Sequence, residues 1–369
     1  QGSYAPVETT FGGGYGGSTD GTLPVANHSS FINPVYGAKF CAARIQIDGR
    51  TIAASQRTED AFVKAIDHEV TSKLRNFNRN MGRILWNDGS GTLGVATAAP
   101  GGTAAAPTLV ILNTGNYKAR RFHFEPNEGV NINSHGSLFT VTSYAESTRT
   151  LTLARVSGSD DIVAAGATTN TIYTQGCKDA EPYGFMGFFS NSTHYGVAEQ
   201  ARWEPYDSGD KSGAPLDTGM LTEMVEVIDT NMDESPTDIK FSPLQYRKYI
   251  KLLEDQKRFP VPVEYKPRPN KMTTPALIAQ VSFGGIQYVG STGNILCSKS
   301  KFIRDDMVFA VNFNHVETMH IQKPGWAQRD GTVFLRMEDR DAYEARYVAY
   351  PENAINPAHV GFIWNLSVA

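Results

Sequence analysis

The longest regular spacing of apolar positions runs through Phe62, Ile66, Val70, Leu74, Phe77, Met81 and Ile84 or Leu85, in steps of three and four. That period puts them on one stripe of an α-helix, while Lys64, Asp67, Lys73, Arg75, Arg79 and Arg83 fall on the polar side. Thr58 is placed to cap the start and Asn87-Asp88-Gly89 to end it. At a rise of roughly 1.5 Å per residue the helix is roughly 40 Å long. A helix of that length with one apolar stripe is a strut, and a sheet is expected beneath it.

Elsewhere the period changes. Residues 217 to 232 repeat the helical spacing through Leu221, Met224, Val225, Ile228 and Met232; "TDIKF" follows as a buried strand, and Ser242-Pro243 opens a third helix to about Gln256. Between 92 and 178 the pattern is strand-like in "TLVILN", "RRFHFEP", "LFTVTSYA", "RTLTLARV" and "TIYTQG", divided by Gly, Asn and Ser turns, which predicts a small all-β insertion. The last hundred residues alternate short strands, among them "MVFAVNF", "VETMHI", "TVFLRM" and a closing "HVGFIWNLS".

Two stretches are predicted to be unstable alone. Residues 1 to 34 are Gly-, Ser-, Thr-, Pro- and Asn-rich with isolated Phe11, Tyr15 and Phe31, a composition that buries too little apolar surface to fold. Residues 35 to 57 place apolar and β-branched residues on both sides of Asp48-Gly49, the signal for a two-stranded hairpin. Prolines at 260, 262, 267 and 269 predict an exposed extended loop.

Composition narrows the function. The 369 residues suffice for two or three compact units, and 34 Lys+Arg against 38 Asp+Glu leave a net charge of −4, against a strongly basic nucleic-acid binder. Cys41, Cys177 and Cys297 are odd in number and far apart, with no C-x-x-C pair, so neither a disulfide framework nor a zinc site is suggested, and a reducing, cytosolic place of synthesis is expected. No apolar run approaches the ~18–20 residues that span a bilayer, and no signal pattern opens the chain. The first residue, Gln1, leaves open that a leader has been removed.

The candidate chemistry is sparse. Gly12, Gly14 and Gly17 fit G-x-G-x-x-G, but the flanking composition predicts neither the strand before nor the helix after that a phosphate loop requires, so a flexible arm is expected. His68-Glu69 begins a zinc-protease motif whose second histidine position is Ser72. His315, Glu317 and His320 are close, but a strand would put His320 on the opposite face from the other two. Asp160-Asp161 and Asp305-Asp306 could supply carboxylates for glycoside hydrolysis or a hard cation, yet both sit in turn-like sequence. No catalytic residues, metal site or cofactor are expected.

The order of these elements resembles the major capsid proteins of tailed bacteriophages with the Hong Kong-type capsid fold. The similar stretches are "WNDGSGTLG" after the long helix, "GFMGFFSNSTHYGVAEQARWEP" with Gly196 and Trp203, "PTDIKFSPLQYRKYIKLLEDQKRF", "VSFGGIQYVGSTG" with "CSKSKFIRDDMVFAVN", and "DRDAYEARYVAYPENAINPAHVGFI". The resemblance implies an α+β fold: an N-terminal arm over 1–34, an E-loop hairpin over 35–57, a spine helix over 58–91, a β-rich inserted domain over 92–178, an axial domain over 179–290 and return strands completing a peripheral domain over 291–369. It implies a structural subunit that assembles into hexamers and pentamers around double-stranded DNA, in a virion built in a bacterial cytoplasm, with scaffold, portal and decoration proteins as partners and no membrane.

Inter-subunit contacts are then expected from Phe11, Tyr15, Lys39, Arg44, Arg50, Lys64, Asp67, Arg75 and Arg79. Some relatives cross-link an E-loop lysine to a distant asparagine. Lys39 is the only lysine in this hairpin, no catalytic glutamate can be assigned, and cross-linking is not expected. Rings of five and six require hinges, for which Gly94, Gly284-Gly285 and the 260–269 loop are placed. The alternatives are a β-rich carbohydrate-active enzyme using Asp305 or Asp306, and a virion decoration or adhesion protein.

Overall fold

The computed structural model describes residues 3–4, 6–17, 23–49, 59–96, 98–112, 123–133, 135–166, 170–255, 286–290, 293–328, 331–338 and 340–368. The chain divides into two compact units, one of Gln1–Trp86 with Phe185–Ala369 and one of Asn87–Gly184.

The first unit is built on three helices, α1 (Glu59–Leu85), α2 (Thr218–Met232) and α3 (Pro243–Asp255). The stripe of α1 packs through Phe77, Met81 and Ile84 onto Cys41, Ala43, Tyr347 and Ala349. These come from the strands Cys41–Asp48 and Ala342–Ala349, which pair antiparallel over eight residues from Ala342↔Asp48 to Ala349↔Cys41. The expected sheet under the strut is therefore made from both ends of the chain. The outgoing strand of the expected hairpin is present and pairs with this distant partner; the return half, Arg50 included, lies outside the described residues, as does Thr58.

The helices α2 and α3 cover a six-stranded mixed sheet, in the order Tyr206–Asp210, Val360–Trp364, Val308–Val311, Asp238–Phe241, Gly293–Lys299, Ile286–Gly290. Asp217 caps α2, accepting from the backbone N–H of Thr218 and Gly219, and Ser242 Oγ accepts from Gln245 N at the start of α3. Leu221, Met224, Val225 and Ile228 pack with Ile239, Phe241, Val308, Ala310 and Ile363 into one core. The central strand Val308–Val311 is buried at every position, because both faces are covered. The side chains of α2 press close over Gly361: a Cβ there would stand 2.8 Å from Ile228 Cδ1.

The second unit is a seven-stranded antiparallel sheet in the order Thr92–Ala96, Asn170–Thr174, Gly129–Ile132, Leu138–Ala145, Thr150–Ser157, Pro107–Val110, Gly101–Gly102. A bridge between Ala96 and Ile111 returns the far side to the first strand, so the sheet curls on itself. Alternate residues, Val130 and Ile132, Phe139 and Val141, Leu151 and Leu153, point inward and are buried almost completely. "RRFHFEP" is not a strand within its described residues: Phe124 enters the core from a turn-rich segment, where Pro126 and the positive φ of Asn127 disfavour an extended run.

The proposed loop at 260–269 and Gly284-Gly285 lie outside the described residues, and Gly94 sits inside the strand Thr92–Ala96. No described helix is long and apolar enough to cross a membrane.

Candidate assembly surface

The N-terminal segment folds back along itself as a narrow antiparallel ribbon. Ser3–Tyr4 pairs with Val35–Tyr36, Val7–Thr10 pairs with Ser30–Ile32, and Asn27 N donates to Gly13 O at 3.1 Å. A strand thus does precede the glycines, contrary to the compositional expectation, but the chain leaves them toward another strand and not a helix. A Cβ at Gly12 would stand 2.9 Å from Asn27 O, so glycine is there to let the returning chain approach.

The ribbon is anchored at its root. Val35 N donates to Tyr195 O, Lys39 N donates to Pro351 O, and the ring of Tyr36 is buried 4.6 Å from that of Tyr195. Beside it His194 is fully buried, stands edge-on to Phe188 and bonds Glu199 Oε1 through Nε2 at 3.0 Å. Burial pushes the His194 imidazole below the usual histidine range, opposed by Glu199.

Away from the root, most of the large apolar side chains face water, although Thr9 is buried. Among the described residues, seven of the thirteen exposed large hydrophobics lie between positions 11 and 40: Phe11, Tyr15, Leu23, Val25, Phe31, Val35 and Phe40. Phe11 is 60% exposed with the Arg202 guanidinium 3.6 Å from its ring centre, and Tyr15 is fully exposed. A two-stranded ribbon has no second layer to cover its apolar side chains. A concentration of exposed apolar side chains of this kind is uncommon on the surface of an isolated subunit.

The other expected contact residues are distributed differently. Arg44 pairs with Glu344 Oε2 at 2.6 Å across its own sheet, so its charge is engaged within the chain. Lys39 is half-buried. Arg75 is exposed on α1, and Arg79 donates to Asn76 Oδ1 at 2.7 Å, one helical turn away. The side chains of Lys64 and Asp67 lie outside the described residues.

The carboxylate pairs considered for chemistry serve local structure. Asp160 accepts from Ser137 N and Oγ at 2.8 and 2.9 Å, which holds its carboxyl below the usual range, and Asp161 caps the helical turn Ile162–Ala165. Asp306 is paired with Arg304, and the backbone carbonyl of Asp305 accepts from Ser242 Oγ and Gln245 Nε2.

The histidine expectation needs correction. His315 ends a 3₁₀ turn, Phe313–His315, before the strand Val316–His320 begins, so Glu317 and His320 are not its partners. His315 Nε2 instead meets Glu234 Oε2 at 2.6 Å, and its ring stacks on His359 at 3.6 Å and 3°. The bond to His315 draws the Glu234 carboxyl down, and burial lowers His359 to about 4. Spacing along one strand could not reveal this group, since its members come from three separate turns.

No family model and no curated sequence matches the chain. Among solved structures it is similar to a subunit of the capsid asymmetric unit of cyanophage A-1(L), with a TM-score of 0.54 at 7% identity, over 99% of this chain and 88% of that one. It also aligns with the satellite phage P4 procapsid (TM-score 0.41, 10% identity, 98% and 83% coverage) and with the SrpI encapsulin of Synechococcus elongatus (0.42, 8%, 98% and 82%). The fold is the α+β Hong Kong-type phage capsid fold.

Proposed function

We propose that this chain is a major capsid protein, a structural subunit that self-assembles into the hexamers and pentamers of an icosahedral phage head around double-stranded DNA. The observation that carries the reading is the exposed apolar ribbon on a capsid-type fold: Phe11, Tyr15, Leu23, Val25 and Phe31 stand mostly exposed in their own subunit. Neighbouring copies supply it. The ribbon is ordered further on contact, and the free energy gained there holds the ring together.

The charge supports a container more than a DNA-binding surface. A net charge of −4 gives little counterion release on phosphates, so contact with packaged DNA is weak and non-specific. Exposed Arg75 on α1 contributes register between copies more than affinity. Scaffold, portal and decoration proteins are the further partners of this reading, and the virion its location.

The test is electron microscopy of the purified chain, with scaffold where assembly requires it. Rings, shells or tubes are expected, and deletion of residues 1–34 should abolish them while circular dichroism and thermal unfolding keep their wild-type form. A full-length chain that stays monomeric under all assembly conditions, or a truncated one that still builds shells in normal yield, would overturn the proposal.

A further inference from the structure

Two short segments of the sequence share the pattern Asn-x-x-His: Asn312-Phe313-Asn314-His315 and Asn356-Pro357-Ala358-His359. Each folds as a 3₁₀ turn begun by its asparagine, whose Oδ1 accepts from the backbone N–H two residues on, Asn314 N at 3.1 Å and Ala358 N at 3.2 Å. The turns are also tied to each other reciprocally. Asn312 N donates to His359 O at 3.1 Å, and Asn356 N donates to His315 O at 3.3 Å. This cross-tie places the two imidazoles face to face.

Glu234, just past the end of α2, closes the group. Its carboxylate meets His315 Nε2 and accepts from Asn312 Nδ2 at 3.0 Å. One ligand atom from each of Glu234, His315 and His359 lies within 4.8 Å of the others. His359 is 4% exposed, and its Nδ1 has no hydrogen-bond partner. A buried ring nitrogen left unpaired is costly unless something occupies it.

We infer that Glu234, His315 and His359 form a binding site for one divalent transition-metal ion of the zinc, cobalt or nickel class. Two imidazoles and one carboxylate suit such an ion, whereas magnesium and calcium take oxygen ligands. Asn312 is the outer partner that orients the carboxylate. Stacked rings keep their lone pairs in parallel planes, so binding requires one ring to tilt. His315, whose side chain is 34% exposed, is the one free to do so. Glu234 is half exposed, which leaves the remaining coordination position open to water. The site joins the end of α2 to two turns that flank the central strands of the six-stranded sheet, so an occupied site clamps three segments that are distant in sequence.

The inference is independent of assembly, and its test uses tag-free, full-length protein stripped with a chelator and then dialysed free of it. Titration with Zn²⁺ by calorimetry should show one ion per subunit, and Co²⁺ should give the visible absorption of a nitrogen- and oxygen-ligated ion. Glu234→Gln and His315→Ala should each weaken binding by about tenfold or more, and Asn312→Ala by about tenfold. Both ligand positions are partly exposed, so these variants should fold, which the wild-type circular dichroism spectrum would verify. Absence of stoichiometric uptake, equal affinity for Mg²⁺, or undiminished Zn²⁺ binding in both ligand variants would each overturn the inference.

Discussion

The N-terminal ribbon and the Asn87–Gly184 unit are both antiparallel β-structure with many Gly, Ser and Thr residues, yet they treat their aromatics in opposite ways. In the unit, Phe139 is fully buried between Val130, Val141 and the facing strands; in the ribbon, Phe11 and Phe31 are 60% and 59% exposed. Strand propensity does not separate them. Closure does: seven strands that curl back through the Ala96–Ile111 bridge create an inside, and a two-stranded ribbon has none. Topology therefore leaves the ribbon's apolar side chains on the outside.

The largest effect that sharpens this contrast is truncation inside the closed unit. Phe139→Ala should lower the stability of that unit by about 3–5 kcal/mol, read as a fall in its denaturation midpoint, because the ring leaves a cavity that a closed sheet cannot collapse. A loss below about 1 kcal/mol would mean that the unit is not closed as described.

The second effect lies at the root, where the ribbon is buried. His194 is held neutral by burial, so its folded pKa lies below its unfolded one and the unfolded chain binds the extra proton. Stability is therefore full above the usual histidine range and falls as pH drops through it. Thermal unfolding followed against pH should show that slope, and His194→Gln should reduce it; a slope unchanged by the substitution would assign it to other groups.

The smallest effect on folding belongs to the ribbon itself. Neither Phe11 nor Tyr15 is buried in its own subunit. The double variant Phe11→Ser with Tyr15→Ser should therefore change unfolding stability by about 0.5 kcal/mol at most, as surface substitutions do. Its assembly, followed by light scattering, should still be strongly impaired. Equal loss of folding stability and assembly would remove the distinction between the two regions.

Much of this architecture is legible in local pattern. The three helices fall where the steps of three and four place them, with Asp217 and Ser242 at their starts, and the alternation in "LFTVTSYA" and "RTLTLARV" matches two paired strands. "RRFHFEP" misled because alternation alone does not register Pro126 and the turn after it. Of the candidate contact residues, the aromatics Phe11 and Tyr15 stand exposed, whereas Arg44 is engaged with Glu344 of a strand near the end of the chain, a pairing that carries no signal near position 44.

The sequence by itself determined the segments: where the periods of 3.6 and 2.0 begin and end, where asparagines and aspartates cap them, and that the first thirty-odd residues lack the composition for a core. Those are short-range properties, set by backbone geometry and by side chains a few positions apart. The tertiary structure decided the partners. It paired Cys41–Asp48 with Ala342–Ala349 beneath α1, brought the two Asn-x-x-His turns into a reciprocal tie beside Glu234, and left Phe11, Tyr15 and Phe31 of the ribbon mostly exposed. Partners are chosen by which arrangement buries the most apolar surface and satisfies the backbone of the whole chain at once, and no window of neighbouring residues contains that information.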